Sequence, residues 1–267
     1  MTPDAHGPHL AASTAAFFSR PLREAFSAIA EAGFESVEVM VTKDPATQDA
    51  ERLRRLMVEH GMTIRAIHAP FLIMTRTVWG TDPVGKIYRA IELAERADVP
   101  LVVVHPPFRW QSAYRRWVDE HLPRLAEHTG IRVGVENMFP VPLGKRGVAL
   151  HAHDVLNDLD RFPHVVLDTS HAAVAGLDVL ATYAELRDRL VHVHLSNNAG
   201  RGWDSHASVD TGILPLGDLL DALAADRFAG TITLELDLRS ALDDPVGLRH
   251  LLRRNRSFCA SRLTVGT

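Results

Sequence analysis

The sequence contains only one cysteine, Cys259, among its 267 residues. A single cysteine excludes an intrachain disulfide framework and is typical of proteins from a reducing compartment. No apolar run approaches the roughly 18 residues of a membrane span. The first residues, Met1 to His6, lack the basic then apolar order of a signal peptide. We therefore expect a cytoplasmic protein that makes no use of a membrane.

The sequence also lacks an excess of positive charge. Its 29 Lys and Arg residues face 33 Asp and Glu residues, which gives a net charge of −4. A protein that is basic all over is thereby excluded, although a local basic patch could still hold a phosphate or a nucleic acid. What the chain does have is 46% hydrophobic residues, enough for a sizeable core, and 15 histidines.

Apolar runs rich in β-branched residues alternate with segments of helical periodicity along the chain. Eight strand-plus-helix units predict a single-domain (β/α)8 TIM barrel over residues 1–267, with residues 1–8 as a loose arm. An open doubly wound sheet is the alternative that alternation alone does not exclude. The predicted strands are His9–Ala12, Ser36–Val41, Thr63–His68, Leu101–His105, Ile131–Glu136, Val165–Asp168, Val191–Leu195 and Thr231–Leu236.

The helical segments and the long connections follow from the same pattern. Helices are predicted over residues 21–30, 47–60, 83–97, 113–128, 151–161, 177–190, 216–227 and 244–256. Three connections are long, over residues 69–82, 137–150 and 196–215. All three follow strands, so they lie at the carboxyl end of the barrel, where barrel enzymes hold their sites.

Six consecutive predicted strands end on a histidine or a carboxylate. One polar strand end is ordinary, because the chain meets water there, but six in succession indicate a shared role. The strand ends of a closed barrel form a ring, so these side chains should converge on one small volume. They are His68, His105, Glu136, Asp168, His194 and Glu235.

Carboxylates that are packed together repel one another, whereas a divalent cation makes such a cluster favourable. Mixed imidazole and carboxylate ligands suit zinc, manganese, iron or cobalt, since magnesium and calcium prefer oxygen alone. The ring therefore predicts a divalent metal as the cofactor.

Three further residues extend the predicted ligand set. His171 follows Asp168 by three residues, and Asp204 and His206 lie two apart in the long loop after the seventh strand. Each pair alone has a structural explanation, a capped turn for the first and chance for the second. Beside His194 they predict another group of metal ligands.

The other histidines are predicted to lie outside the site. His192 is expected to point away from His194, toward the surrounding helices. His151 and His153 are expected at the surface. His60, His121, His128 and His250 lie on predicted helices and are expected to be solvated.

The ordered motifs of the chain resemble a known family. From the third strand to the eighth, they are similar to those of the xylose isomerase-like TIM-barrel superfamily, which contains sugar isomerases and epimerases and also the endonuclease-four type of abasic-site enzyme. The motifs are His68-Ala-Pro-Phe, Val-His105-Pro, Val-Glu136-Asn, Leu-Asp168-Thr-Ser-His171, His192-Val-His194-Leu-Ser, Asp204-Ser-His206 and Leu-Glu235-Leu.

The isomerase branch of that superfamily typically binds one metal. The resemblance implies Glu136, Asp168, His194 and Glu235 as its ligands, and the two glutamates would also exchange protons with the substrate. It further implies that His171 contacts a substrate hydroxyl and that Arg201 anchors the sugar. Residues of the variable loops are expected to form the pocket wall: Phe71, Trp79, Phe108, Trp110, Phe139 and Trp203.

The endonuclease branch uses three zinc ions, and a residue of each of its nine ligand types is present. The resemblance implies one ion at His68, His105 and Glu136, a second at Glu136, Asp168, His194 and Glu235, and a third at His171, Asp204 and His206. Phe71 stands where that branch has a tyrosine, and Met74 where it has an asparagine.

Binding to DNA should also require a basic band around the mouth of the barrel. The candidates on the loops are Arg76, Arg109, Lys145, Arg146 and Arg201, which could equally bind one sugar phosphate. The cationic run of the last helix is interpreted as a solvated face: Arg249, Arg253, Arg254 and Arg256.

The leading hypothesis is therefore a sugar or sugar-phosphate isomerase or epimerase that uses one to three divalent metal ions and transfers protons between Glu136 and Glu235. The alternative is a three-metal zinc phosphodiesterase similar to the abasic-site endonucleases. A non-catalytic binding barrel is a third hypothesis. A small-molecule substrate is favoured over nucleic acid as the partner, and a homo-oligomer is common in the family.

Overall fold

The computed structural model describes residues 8–70, 78–143, 146–152 and 162–263. The strands in these ranges are β1 (His9–Ser13), β2 (Ser36–Met40), β3 (Thr63–His68), β4 (Leu101–Val104), β5 (Arg132–Glu136), β6 (Val141–Leu143), β7 (Arg146–Val148), β8 (Val165–Asp168), β9 (Leu190–Leu195) and β10 (Thr231–Leu234). Eight of them form a closed parallel barrel in the order β1, β2, β3, β4, β5, β8, β9, β10, and β10 returns to β1. The predicted TIM barrel is confirmed, and closure rules out the open sheet.

Helices cover the outside of the barrel. They are α1 (Leu22–Glu31), α2 (Ala50–His60), α3 (Pro83–Ala97), α4 (Ser112–Glu120), α5 (Leu122–Thr129), α6 (Thr169–Val174), α7 (Val179–Leu186), α8 (Leu216–Ala225) and α9 (Pro245–Leu263). Aspartates before α2, α3 and α7 accept hydrogen bonds from the first backbone amides of those helices. No helix in the described ranges has both the length and the apolar character that crossing a bilayer requires.

The structure departs from the sequence-based prediction in three places. The helix predicted over residues 113–128 is two helices, broken at His121, because Pro123 fits only the first turn of a helix. The short α6 directly after β8 was not expected. The loop over residues 137–150 contains the antiparallel hairpin of β6 and β7. Residues 1–7 of the predicted arm and 153–161 of the predicted fifth helix lie outside the described residues.

Side chains alternate between two environments along the barrel strands. Val102 and Val104 of β4 belong to the main core between the sheet and the helices. Leu101 and Val103 of the same strand belong to a separate cluster with Ala66, Val166 and Val191, which fills the barrel interior. The next inward positions after this apolar layer are His68, His105, Glu136 and Asp168, so the polar ring stands directly above it.

Gly134 occupies an inward position of β5, where the apolar layer has no room for a side chain. A Cβ atom there would lie 2.7 Å from Cγ2 of Val166 and 3.3 Å from Cγ2 of Val191. We expect Gly134→Val to lower the free energy of unfolding by about 1–3 kcal/mol, because overpacking forces neighbouring strands apart. Urea unfolding measures the change.

The control for this substitution is Thr63→Val, which places the same valine side chain at the exposed start of β3. It should change the free energy of unfolding by no more than about 0.5 kcal/mol. Equal stability of the two variants would show that the barrel interior is not filled at Gly134.

Candidate metal centre

The carboxyl ends of the barrel strands bring all six predicted strand-end residues together. His68, Glu136, Asp168 and His194 are inward residues at or next to the ends of β3, β5, β8 and β9. His105 directly follows β4 and Glu235 directly follows β10. Glu136 is only 1% exposed, and Asp168 and His194 are fully buried.

Glu136 lies at the centre of the ring and contacts histidines through both of its carboxylate oxygens. Oε2 is 3.3 Å from Nε2 of His68 and 3.1 Å from Nε2 of His105. Oε1 is 3.2 Å from Nδ1 of His194 and 3.3 Å from Nδ1 of His171. One carboxylate therefore contacts histidines from four different segments of the chain.

Four residues offer one ligand atom each within a sphere suited to a single ion. The atoms of Glu136, Asp168, His194 and Glu235 all lie within 4.8 Å of one another. His194 Nδ1 is 3.1 Å from Oε2 of Glu235 and 4.0 Å from Oδ2 of Asp168. Three carboxylates and one imidazole are a donor set that fits a divalent ion such as zinc or manganese.

The second oxygen of Asp168 supports this fit. Oδ2 is buried and accepts no hydrogen bond from the part of the chain that the structure describes, and a buried carboxylate oxygen without a partner is costly unless a cation approaches it. Oδ1 accepts a hydrogen bond from the backbone N–H of His171 at 2.7 Å and caps α6. The cap and the proposed ligand role thus use different oxygens of the same side chain.

Asn137 holds Asp168 in place through the backbone. Its side-chain oxygen accepts from the N–H of Asp168 at 2.6 Å, and its side-chain nitrogen donates to the carbonyl of Asp168 at 3.0 Å. The carbonyl of Asn137 also lies 2.9 Å from Nδ1 of His171. Asn137, directly after β5, therefore orients both Asp168 and His171.

The loop after β9 adds the remaining predicted ligands. Oδ2 of Asp204 is 2.7 Å from Nε2 of His206 and 3.4 Å from Nε2 of His171. Ser170 donates to the other oxygen of Asp204 at 2.6 Å. Asp168, His171 and His206 also form a group of the right size for an ion. All nine predicted ligands thus surround one end of the barrel.

The histidines and carboxylates of the ring shift each other's pKa values. Burial alone would raise the pKa of Glu136, but His194 and His105 outweigh it and hold that pKa well below its usual range. Burial alone would lower the pKa of His194, yet Glu38, Glu235 and Glu136 raise it well above the usual range. Burial raises the pKa of Asp168 to about 6. These opposed shifts describe a cluster in which charges compensate one another.

The sequence analysis missed Glu38, the inward residue at the middle of β2. It is fully buried, and its Oε2 lies 3.0 Å from Nε2 of His194 and 2.8 Å from Nε2 of His192. Ser13 donates to its other oxygen at 3.4 Å. The signal was one acidic residue inside the run Ser-Val-Glu-Val-Met. A carboxylate on Nε2 of His194 leaves Nδ1 as the nitrogen that faces the ring.

Three predictions about the other histidines were wrong. His192 points into the barrel, not toward the helices, because residues i and i+2 of a strand share one face and His194 faces inward. His151 is buried, 5% exposed, instead of lying at the surface. His60 is half-buried and packs against Phe26 with ring centroids 5.9 Å apart. His153 lies outside the described residues.

A cavity of about 380 Å³ opens above the ring. Its wall is mostly apolar and includes Ile87, Pro106, Met138 and Leu150. Among the described residues that line it, Lys86 is the only lysine or arginine. A small molecule in this cavity would face the candidate metal ligands at one end and apolar side chains along its length.

The residues predicted to form the pocket wall or to anchor the sugar do not all line the cavity. Phe108 and Phe139 line the cavity. Trp110 is 64% exposed; it stacks on Phe108 at 4.7 Å and lines the neighbouring depression. Arg201 and Trp203 are exposed and are not among the described lining residues, and Trp79 lines a separate depression. Phe71 lies outside the described part of the chain.

Comparison with known proteins gives a family and a fold. The model of the xylose isomerase-like TIM barrel family matches residues 26–257. An uncharacterized protein of Mycobacterium leprae is 31% identical over 268 residues, which cover 92% of this chain and 96% of that protein.

Two solved structures show the same fold. A D-tagatose 3-epimerase-like protein has a TM-score of 0.68 at 21% identity, covering 96% of this chain and 100% of that chain. The 3-keto-D-glucoside 4-epimerase of E. coli has a TM-score of 0.68 at 19% identity, covering 94% and 99%.

Replacing Glu38 should reveal how strongly the histidine pair depends on its charge. We expect Glu38→Gln to lower the free energy of unfolding of the metal-stripped protein by about 3 kcal/mol, because the buried imidazoles lose their anionic partner. The control Ser13→Ala removes only the 3.4 Å hydrogen bond to Glu38 and should cost no more than about 1 kcal/mol. Denaturant unfolding measures both, and equal losses would contradict the assignment.

The same variant gives a pH signature. Burial alone would raise the pKa of Glu38, but His194 and His192 outweigh it and hold that pKa well below the ordinary value of 4.5. The resulting stabilisation is complete above pH 4.5 and is lost as the pH falls below it. The stability difference between wild type and Glu38→Gln should therefore shrink on acidification. A difference that stays constant down to about pH 3 would contradict this.

Proposed function

The chain belongs to the xylose isomerase-like TIM-barrel family, and on that basis we propose that it is a divalent-metal-dependent isomerase or epimerase of a sugar or sugar phosphate. The observation that carries the proposal is the four-residue group of Glu136, Asp168, His194 and Glu235 at the floor of the cavity. It places two glutamates beside one imidazole, where a substrate can meet both.

A metal held by these four residues would polarise a carbonyl oxygen of the substrate and make the neighbouring C–H bond more acidic. Glu136 and Glu235 both lie within 3.2 Å of Nδ1 of His194. As general base and general acid, one carboxylate removes a proton from the carbon and the other carboxyl group returns one. Return to the opposite face of the same carbon is an epimerisation. Return to the adjacent carbonyl carbon, with transfer of the hydroxyl proton of the first carbon to the former carbonyl oxygen, is an isomerisation.

The surrounding residues position the reacting groups. His68 and His105 hold Oε2 of Glu136, so that this carboxylate keeps its orientation while it exchanges a proton. His171 is fixed by Asn137 and Asp204, and it faces the cavity, where it can bind a substrate hydroxyl. Two structures of the same fold are named as epimerases or epimerase-like proteins of keto sugars, which supports a related reaction for this chain.

A three-metal phosphodiesterase is the second candidate, and one observation favours it. His171, Asp204 and His206 lie in contact with one another beside the ring, since Oδ2 of Asp204 is 3.4 Å from Nε2 of His171 and 2.7 Å from Nε2 of His206. The charge of the surface does not support a nucleic-acid partner. The terminal-helix arginines are engaged by the protein: Arg249 pairs with Glu31, Arg254 with Asp210, and Arg256 lies over the ring of Phe34.

The setting of the enzyme remains a prediction from the sequence. The single cysteine, Cys259, is buried and unpaired, which is compatible with the reducing cytoplasm. We propose that the enzyme acts on a small-molecule substrate, is cytoplasmic and forms a homo-oligomer.

Proton exchange tests the proposed reaction directly. Wild-type protein loaded with manganese or zinc should introduce deuterium from D₂O next to the carbonyl of a keto sugar such as D-tagatose or L-ribulose, as followed by NMR. Glu136→Gln and Glu235→Gln should each lower the exchange rate by a factor of about 10² to 10⁴. The control Glu185→Gln, an exposed glutamate of α7, should exchange at the wild-type rate.

The same measurement distinguishes a non-catalytic binding barrel. If wild-type protein binds the keto sugars but exchanges no proton, the enzyme assignment is wrong. If Glu235→Gln exchanges at the wild-type rate, the two-glutamate assignment is wrong.

Metal content and DNA cleavage separate the two enzyme candidates. We expect about one tightly bound ion per chain by elemental analysis and no cleavage of an abasic duplex, because Lys86 is the only lysine or arginine among the described residues that line the cavity. Efficient cleavage of the duplex that EDTA abolishes would overturn the isomerase proposal in favour of the phosphodiesterase.

A further inference from the structure

His151 is a buried imidazole of the cavity wall that the proposed reaction does not use. Its side chain lines the cavity, the residue is 5% exposed, and neither ring nitrogen has a hydrogen-bond partner among the described residues. A buried polar group without a partner is destabilising, and such groups in native structures call for an explanation. A ligand in the cavity is a partner of the right kind.

The ring of His151 is held rigidly. It stacks on Phe108 with ring centroids 4.4 Å apart and an interplanar angle of 23°. Trp110 in turn stacks on Phe108, with ring centroids 4.7 Å apart. The backbone on both sides is bonded to the loop after β4, since Arg109 donates to Leu150 at 2.9 Å and Ala152 donates to Pro107 at 2.7 Å. The stacking and the backbone hydrogen bonds therefore set the orientation of the His151 ring, and with it the positions of Nδ1 and Nε2 in the cavity wall.

His151 lies one ring beyond the metal ligands. Its ring centroid is 6.5 Å from that of His105, and Nε2 of His105 is 3.1 Å from Oε2 of Glu136. His105 thus contacts both His151 and Glu136 and links the two in the cavity wall. The wall around this part of the cavity is apolar and includes Pro106, Phe108 and Leu150.

The charge state of His151 selects the chemistry of its partner. The ring is buried against the uncharged Phe108 and the apolar wall of the cavity, and burial favours the neutral form of an imidazole. A neutral imidazole offers one donor and one acceptor. That pair suits a hydroxyl or a carbonyl oxygen, and it gives little attraction to a phosphate or a carboxylate.

We propose that His151 is a second anchoring point of the cavity, which binds an uncharged hydroxyl or carbonyl oxygen at the end of the substrate away from the metal ligands. The substrate portion beside that oxygen is apolar, as in a deoxy or alkylated carbon, because apolar side chains surround it. The identification of the ligand as a keto sugar or cyclic keto-polyol rests on the proposed function, whereas the subsite itself rests on the cavity geometry.

A pair of matched probes tests the subsite without any turnover. Benzyl alcohol and ethylbenzene have nearly the same shape, but only the alcohol can hydrogen-bond to His151. Dissociation constants for the metal-loaded protein are measured by ligand-observed NMR. We expect His151→Phe, which keeps an aromatic ring on Phe108, to weaken benzyl alcohol binding about tenfold and ethylbenzene binding less than twofold.

Two further variants complete the test. His121→Phe makes the same change at an exposed position, 59% of whose side chain is accessible, and should leave both dissociation constants at the wild-type values. His151→Gln retains a donor and an acceptor, and it should keep at least half of the preference for the alcohol. This second variant decides the question if His151→Phe does not fold.

The subsite proposal is overturned if a folded His151→Phe binds benzyl alcohol as tightly as wild type, or if either His151 variant weakens both probes equally. Failure of the proposed function would be seen separately, as the absence of deuterium exchange in the wild-type protein. A preference for the alcohol that depends on His151 supports the subsite in either case.

Discussion

The structure depends on the compensation of buried negative charge inside the barrel. Glu38, Glu136 and Asp168 are all removed from water, and an isolated carboxylate in that position would cost several kcal/mol. Histidines supplied by neighbouring strands offset this cost: His68 and His105 contact Glu136, and His192 contacts Glu38. His194 contacts both glutamates through its two nitrogens. This shared imidazole couples the outer ring to the carboxylate beneath it.

The apolar layer below the ring makes this arrangement possible. Leu101, Val103 and Val166 fill the lower barrel, so water cannot reach the carboxylates from that side, and Gly134 leaves the space that Val166 occupies. The ring therefore opens toward the cavity. A cavity with charge at its floor and apolar walls orients a ligand by its polar end, and His151 supplies one more polar contact at a distance from that floor.

Sequence reasoning found the ring because period-two alternation and strand ends are local features. His68, Glu136, Asp168 and His194 each follow an apolar run, and their position at the carboxyl edge needs only the strand boundary. Glu38 was missed because it lies inside its strand, where one acidic residue resembles a solvent-facing position. His151 was misplaced because its burial comes from Phe108 and the loop after β4, which are distant in sequence.

The sequence by itself determined the eight strand-and-helix units of an α/β fold and the identity of the nine candidate ligands, since hydrophobic periodicity and residue type are written along the chain. Closure of the eight strands into a barrel was decided by the tertiary structure. Only the tertiary structure decided which atoms meet. It gave one oxygen of Asp168 to the cap of α6 and left the other without a hydrogen-bond partner among the described residues, and it turned both His192 and His194 toward Glu38. These outcomes depend on strand register and loop packing, which bring together residues more than a hundred positions apart, as in the contact of His194 with Glu38.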